Sequence, residues 1–88
     1  MKYTVYDLHQ CNRGEQIQVT LQGSAANVRL MDSSNYSNYK NGRRHNYYGG
    51  LAKRSPIVLT IPRSDHWYVT IDLAGLRGSV RSSIRKLP

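Results

Sequence analysis

Lys40, Arg43, Arg44, Lys53 and Arg54 fall within a stretch of fifteen residues that holds no Asp or Glu. Tyr39, His45, Tyr47 and Tyr48 interleave with these charges, and Gly42, Gly49 and Gly50 let a backbone approach a ligand closely. Basic side chains neutralise phosphates, and aromatic faces stack nucleobases at about 1–3 kcal/mol per base. Affinity built this way falls as salt rises. Lys40, Arg43, Arg44, His45, Tyr47, Tyr48, Lys53 and Arg54 are therefore the candidate ligand-binding set. The competing reading is a long crossover whose tyrosines pack and whose charges are simply solvated.

A second basic set is Arg77, Arg81 and Arg85, spaced by four. That spacing keeps all three on one face, about 13 Å apart in a strand and about 6 Å apart in a helix. Only the helical spacing matches adjacent phosphates, and charged strand faces also guard sheets against edge pairing. The set is therefore a secondary basic face.

Residues capable of hydrolysis or metal binding are sparse. Ser64-Asp65-His66 holds the three triad residue types, but consecutive residues in a turn cannot form the relay. His45 and His66 have the chemistry for an acid–base pair, yet nothing in the sequence brings the rings together. His9 and Cys11 are two apart and would share a strand face, but a zinc site needs about two further ligands. No catalytic residue, metal or cofactor is expected.

Composition sets the frame for these candidates. The chain has 88 residues, with 13 Lys and Arg against 5 Asp and Glu, for a formal charge of +8. Arg supplies nine of the cations, and its planar fork suits phosphate and carboxylate. Such a balance favours an anionic partner, nucleic acid or nucleotide first, although high charge also keeps small proteins soluble. One domain is the comfortable reading at this length, covering residues 1–88. Apolar residues at 39% are too many for a disordered chain. No run approaches the roughly 18 apolar residues of a membrane span. The start of the chain lacks the apolar core of a secretory signal, and one cysteine forms no intrachain disulfide. A cytoplasmic setting is expected.

The elements that must position the candidates read as short strands. Gln16 to Gln22 alternates strictly, with Ile17, Val19 and Leu21 on one face. Ala26 to Met31 and Ile57 to Ile61 follow, the latter between Pro56 and Pro62. His66 to Leu73 has the clearest pattern: Trp67, Val69, Ile71 and Leu73 face one way, and His66, Tyr68, Thr70 and Asp72 the other. Tyr3 to Leu8 is β-rich without a clean face. Asp32-Ser33-Ser34 suits a helix start and Gly42 a helix stop, so one short helix is expected near Ser33 to Asn41. It would place Tyr36, Tyr39 and Lys40 together. Arg63 to His66 reads as a hairpin turn between the Ile57 and Trp67 strands. Leu76 to Leu87 is compatible with helix or strand, and the all-β context favours strand. The expected core is Ile17, Val19, Leu21, Val28, Leu30, Ile57, Leu59, Ile61, Trp67, Val69 and Ile71.

The segments Gly23 to Asp32, Asn35-Tyr36…Tyr39, Tyr47-Tyr48-Gly49-Gly50, Ser55-Pro56 and His66-Trp67-Tyr68-Val69 resemble the bacterial domain of unknown function 1883. The resemblance spans nearly the whole chain. It implies a compact β-sandwich, found alone or joined to Toll/interleukin-1-receptor-type domains, and brings no activity or active-site residues. Residues 28 to 71 also resemble a broader jelly-roll pattern, a likeness of fold that carries no function. The expectation is an all-β, single-domain, jelly-roll-like sandwich of six to eight strands with at most one short helix. Its expected function is non-enzymatic binding of an anionic ligand through the basic loop. The alternative is a protein-interaction or oligomerisation module, accessory to bacterial defence signalling.

Overall fold

A computed structural model describes residues 2–88 and turns the alternating segments into seven strands and one helix. In chain order these are β1 (Tyr3–Cys11), β2 (Gln16–Gly23), β3 (Ala26–Asp32), α1 (Ser33–Lys40), β4 (Tyr48–Ala52), β5 (Ile57–Thr60), β6 (Asp65–Asp72) and β7 (Val80–Lys86). All pairings are antiparallel, in one sheet ordered β1-β6-β3-β4 and another ordered β5-β2-β7. The all-β sandwich with a single short helix is the architecture expected from the period-2 segments.

The topology is a hairpin rolled on itself. β3 pairs with β4, β2 with β5 and β1 with β6, nested around α1 at the tip, and alternate pairs join alternate sheets. This is the jelly-roll arrangement. β7 adds to the free side of β2, so the ambiguous C-terminal segment is a strand from Val80 onward. One flank is closed where the Tyr6 hydroxyl on β1 donates to the Ser82 carbonyl on β7 at 2.9 Å. The opposite flank carries the unpaired edges of β4 and β5.

The core forms between the sheets because one face of each strand is apolar. Ile17, Val19, Val28, Leu30, Ile61, Trp67, Val69 and Ile71 are buried there, joined by Cys11, Ala26 and Ala52. The Trp67 indole N–H is satisfied by the Arg63 carbonyl at 2.9 Å, so the largest core residue buries no unpaired donor. Leu21, Ile57 and Leu59, expected in the core, are only half-buried. β5 is an edge strand that pairs β2 only from Gln16 to Val19, which leaves its own side chains and Leu21 at the rim.

Four further expectations are corrected. Arg63 to His66 closes no hairpin, because β5 and β6 lie in different sheets and the segment crosses between them. Alternation marks which face is buried, but strands facing each other across a sandwich alternate just as paired strands do. Second, His9 and Cys11 do not share a face. The β1–β6 register shifts between Asp7 and His9, and His9 sits at φ +58°. The bulge changes the alternation, so Leu8 packs against the core and Cys11 is 0% exposed, while His9 and Gln10 are exposed. Third, Arg77 precedes β7 and lies in a loop, so only Arg81 and Arg85 share a strand face. Fourth, residues 40 to 54 are not one loop, since β4 occupies Tyr48–Ala52.

Candidate functional site

α1 exists because Asp32 caps it. The Asp32 carboxylate accepts the Asn35 backbone N–H at 2.9 Å and its side-chain amide at 3.0 Å. Asn41 and Gly42 end it, with Gly42 at φ +71°, and Lys40 in the last turn suits the helix dipole. The helix lies on the outer face of the four-stranded sheet and buries Tyr39. Tyr39 donates to Asp72 at 2.7 Å, and Asp72 also pairs with Arg29 and accepts from Asn27 at 2.8 Å. The Arg29 guanidinium lies 5.7 Å from the Tyr39 ring centre and 5.0 Å from that of Tyr47. Burial pushes the Asp72 carboxyl up. Hydrogen bonds from Asn27, Tyr39 and the Ala74 N–H, with the Arg29 charge, outweigh it, so the group is held below the usual carboxylate range.

The segment after α1 is tied down by these contacts. The Arg43 N–H donates to the Asn38 carbonyl at 2.8 Å, and the Asn46 N–H to the Asn35 side-chain oxygen at 2.8 Å. The His45 ring packs edge-on to Tyr39 and beside Tyr47. Arg43 and Arg44 remain exposed between these anchors.

A cleft of about 410 Å³ opens where α1 begins and β4 starts. Leu30, Met31 and Trp67 form its apolar floor, Asp32 and Arg63 one wall, and Asn35, Asn46, Tyr47 and Tyr48 the other. Arg63 pairs with Asp32 and lies 5.0 Å from the Trp67 ring centre. For Asp32, too, burial pushes the carboxyl up, while both Asn35 donors and Arg63 outweigh it and hold the group low. The charges of Asp32 and Arg63 in that wall offset each other, and Arg43 and Arg44 are not among the residues that line the cleft. Tyr48 is 52% exposed and meets Trp67 edge-on at 6.1 Å.

The structure brings together only part of the sequence-derived set. Tyr47 and Tyr48 line the cleft, and Arg43, Arg44 and His45 belong to the segment leading to it. Lys40 sits on α1 with its ammonium 5.5 Å from the Tyr36 ring centre. Lys53 and Arg54 follow the far end of β4, about 13 Å or more from its start by strand rise. They border a smaller hollow with Ser24 and Ser55. Arg81 and Arg85 lie on the outer face of the other sheet, paired across from Gln22 and Gln18. His45 packs with Tyr39 and Tyr47, whereas His66 packs with His9 and Tyr68, so the two belong to separate groups. Tyr68 is taken up between Tyr36 and His66.

Asn35, Asn46 and Arg63 went unremarked as site residues. Asn35 had a legible signal in its position three after a helix-capping Asp. Arg63 had none, because its place depends on β6 crossing to the other sheet. Each of the five carboxylates has a partner within 4 Å, and Arg29, Arg63 and Lys86 are the Lys and Arg that engage them. The other ten Lys and Arg have no carboxylate partner among the described residues.

The rolled topology, with an apolar-floored cleft at the helix start, defines a small jelly-roll β-sandwich domain. The whole chain, residues 1–88, matches the family model described as domain of unknown function (DUF1883), and the protein belongs to that family. No curated protein and no solved structure matches it. No helix among the described residues is long and apolar enough to cross a membrane.

Proposed function

We propose that this domain is a non-catalytic binding module for single-stranded nucleic acid or a nucleotide, seated in the cleft at the start of α1. The observation that carries the reading is Tyr48, a half-exposed ring on a cleft with side-chain amides, preceded in the chain by two exposed arginines that have no carboxylate partner among the described residues. The volume of about 410 Å³ lies in the range of small-molecule sites. Tyr48 offers a stacking face, Asn46 and Arg63 offer donors to a base edge, and Arg43 and Arg44 offer phosphate contacts. One face of Tyr47 already lies against Arg29, which makes Tyr48 the better platform.

The experiment is a salt titration of binding to single-stranded and double-stranded oligonucleotides, beside a panel of nucleotides. Arg43→Ala with Arg44→Ala should flatten the log–log salt dependence by about one unit per lost phosphate contact and leave folding intact. Tyr48→Ala should lower affinity with almost no change in that slope. Absence of binding by the wild type at about 50 mM salt, where electrostatic attraction is strong, defeats the reading.

The open flank favours a second reading. Leu51 on β4 is 51% exposed and Val58 on β5 is 48% exposed, beside two strand edges that have no partner strand among the described residues. Edges of this kind accept a strand from another protein. Self-association, or capture of a Toll/interleukin-1-receptor-type domain of the sort the family resemblance suggests, would be lost in Leu51→Lys and unaffected by Arg43→Ala.

A further inference from the structure

The outer face of the four-stranded sheet carries a second group of side chains, away from the cleft. Asp7 and His9 on β1 and His66 on β6 place a carboxylate oxygen and two imidazole nitrogens all within 4.8 Å of one another. His66 Nε2 is 2.6 Å from Asp7 Oδ1, and His9 Nδ1 is 3.6 Å from the same oxygen. Donor atoms bound to one tetrahedral zinc at about 2.0–2.1 Å stand roughly 3.3 Å apart. The observed separations bracket that value, so small side-chain rotations suffice to admit the ion.

Two independent features distinguish the group from a surface ion pair. His9 is a non-glycine residue at φ +58°, fixed there by the β1 bulge, and backbone strain of this kind collects at functional sites. Its own N–H donates to Asp7 Oδ1 at 2.8 Å and so orients the carboxylate. Asp7 is also the one carboxylate with no Lys or Arg partner among the described residues, although the chain carries 13 such cations. Both of its partners are imidazoles. The His66 ring is held by stacking on Tyr68 at 4.8 Å and 14°, and Tyr68 stacks in turn on Tyr36 at 4.3 Å. That column sets the ring plane as hydrogen-bonded neighbours do at metal sites.

We propose that Asp7, His9 and His66 form a binding site for a first-row divalent transition-metal ion, with Zn²⁺ as the type ion. Two imidazoles and one carboxylate suit zinc or copper and not the all-oxygen preference of Ca²⁺ or Mg²⁺. Side-chain exposures of 80% for His9, 42% for Asp7 and 37% for His66 give the ion direct access from solvent. Water completes the coordination shell.

The test is calorimetric titration of the full chain with ZnCl₂ and, in parallel, MgCl₂, with imidazole resonances followed by NMR. One Zn²⁺ per chain is expected, with shifts at His9 and His66, no comparable uptake of Mg²⁺, and a rise in Tm on zinc addition. His9→Gly is the decisive variant, because glycine adopts the positive φ without strain and keeps the bulge while removing a ligand. It should weaken zinc binding roughly tenfold or more and abolish the zinc-dependent rise in Tm, with the metal-free fold retained. His66→Asn, which keeps a hydrogen-bonding group toward Asp7, should weaken binding likewise. Absence of zinc uptake by the wild type, unchanged affinity in both variants, or shifts confined to His45 would each overturn the proposal.

Discussion

Asp72 shows how one side chain couples the core to the outer face. Its side chain is fully buried beneath α1, where it receives Asn27, Tyr39 and the Ala74 N–H and pairs with Arg29, itself only 17% exposed. Breaking a buried pair from one side leaves the other charge uncompensated, so Asp72→Asn should cost about 3 kcal/mol in urea unfolding. The same group sets an acid limit. Because its folded-state pKa lies below the ordinary 3.8, its contribution is complete above that value and is lost as pH falls through the lower one. Asp32 acts in the same direction. Stability should therefore hold down to about pH 5 and fall steeply below about pH 4, with a shallower fall in Asp72→Asn.

At the scale of an element, β4 depends on a residue with no side chain. Gly49 sits at φ +101°, and a Cβ there would come 2.5 Å from the Val28 carbonyl oxygen across the β3–β4 pair. Gly49→Ala should therefore cost more than about 1 kcal/mol, since strain and a backbone clash combine. The loss should centre on β4, seen as faster amide exchange of its ladder hydrogen bonds ahead of global unfolding. β4 also carries Tyr48, so the variant should disturb the cleft even where the remaining sandwich stays folded. The β1 bulge works differently, since it redirects side chains: Cys11 goes into the core and His9 out to Asp7 and His66.

For the whole molecule, the helix-capped face carries a column of hydroxyls that limits stability at high pH. Burial pushes the Tyr39 hydroxyl well above its ordinary value, reinforced by its bond to Asp72. Tyr36 is pushed up to about 12, first by its hydrogen bond with Tyr3 and then by burial. A raised pKa contributes stability that is complete below the unfolded value near 10 and is lost as pH rises above it. Thermal unfolding followed by circular dichroism should accordingly show Tm falling above about pH 10, less steeply in Tyr39→Phe. Both pH limits are set largely in one packed layer, α1 against β3 and β6.

The sequence by itself determined the class of fold. Strict alternation in β2, β3 and β6 leaves one apolar face on each, and such faces are satisfied only by packing sheet against sheet. It also determined α1, since a capping Asp and a Gly stop act within a few residues of the helix they bound. Which strands pair was decided only in three dimensions, because a periodic pattern records burial and not the neighbour that provides it. That is why Arg63 read as a turn residue and became a wall of the cleft. Basic residues could be counted along the chain, but β4 separates Lys53 and Arg54 from Arg43 and Arg44 by the length of a strand. His9, Asp7 and His66 meet only because a bulge in β1 is set against β6. Contacts between residues some sixty positions apart depend on the register of two strands, and register is fixed by the packed core as a whole.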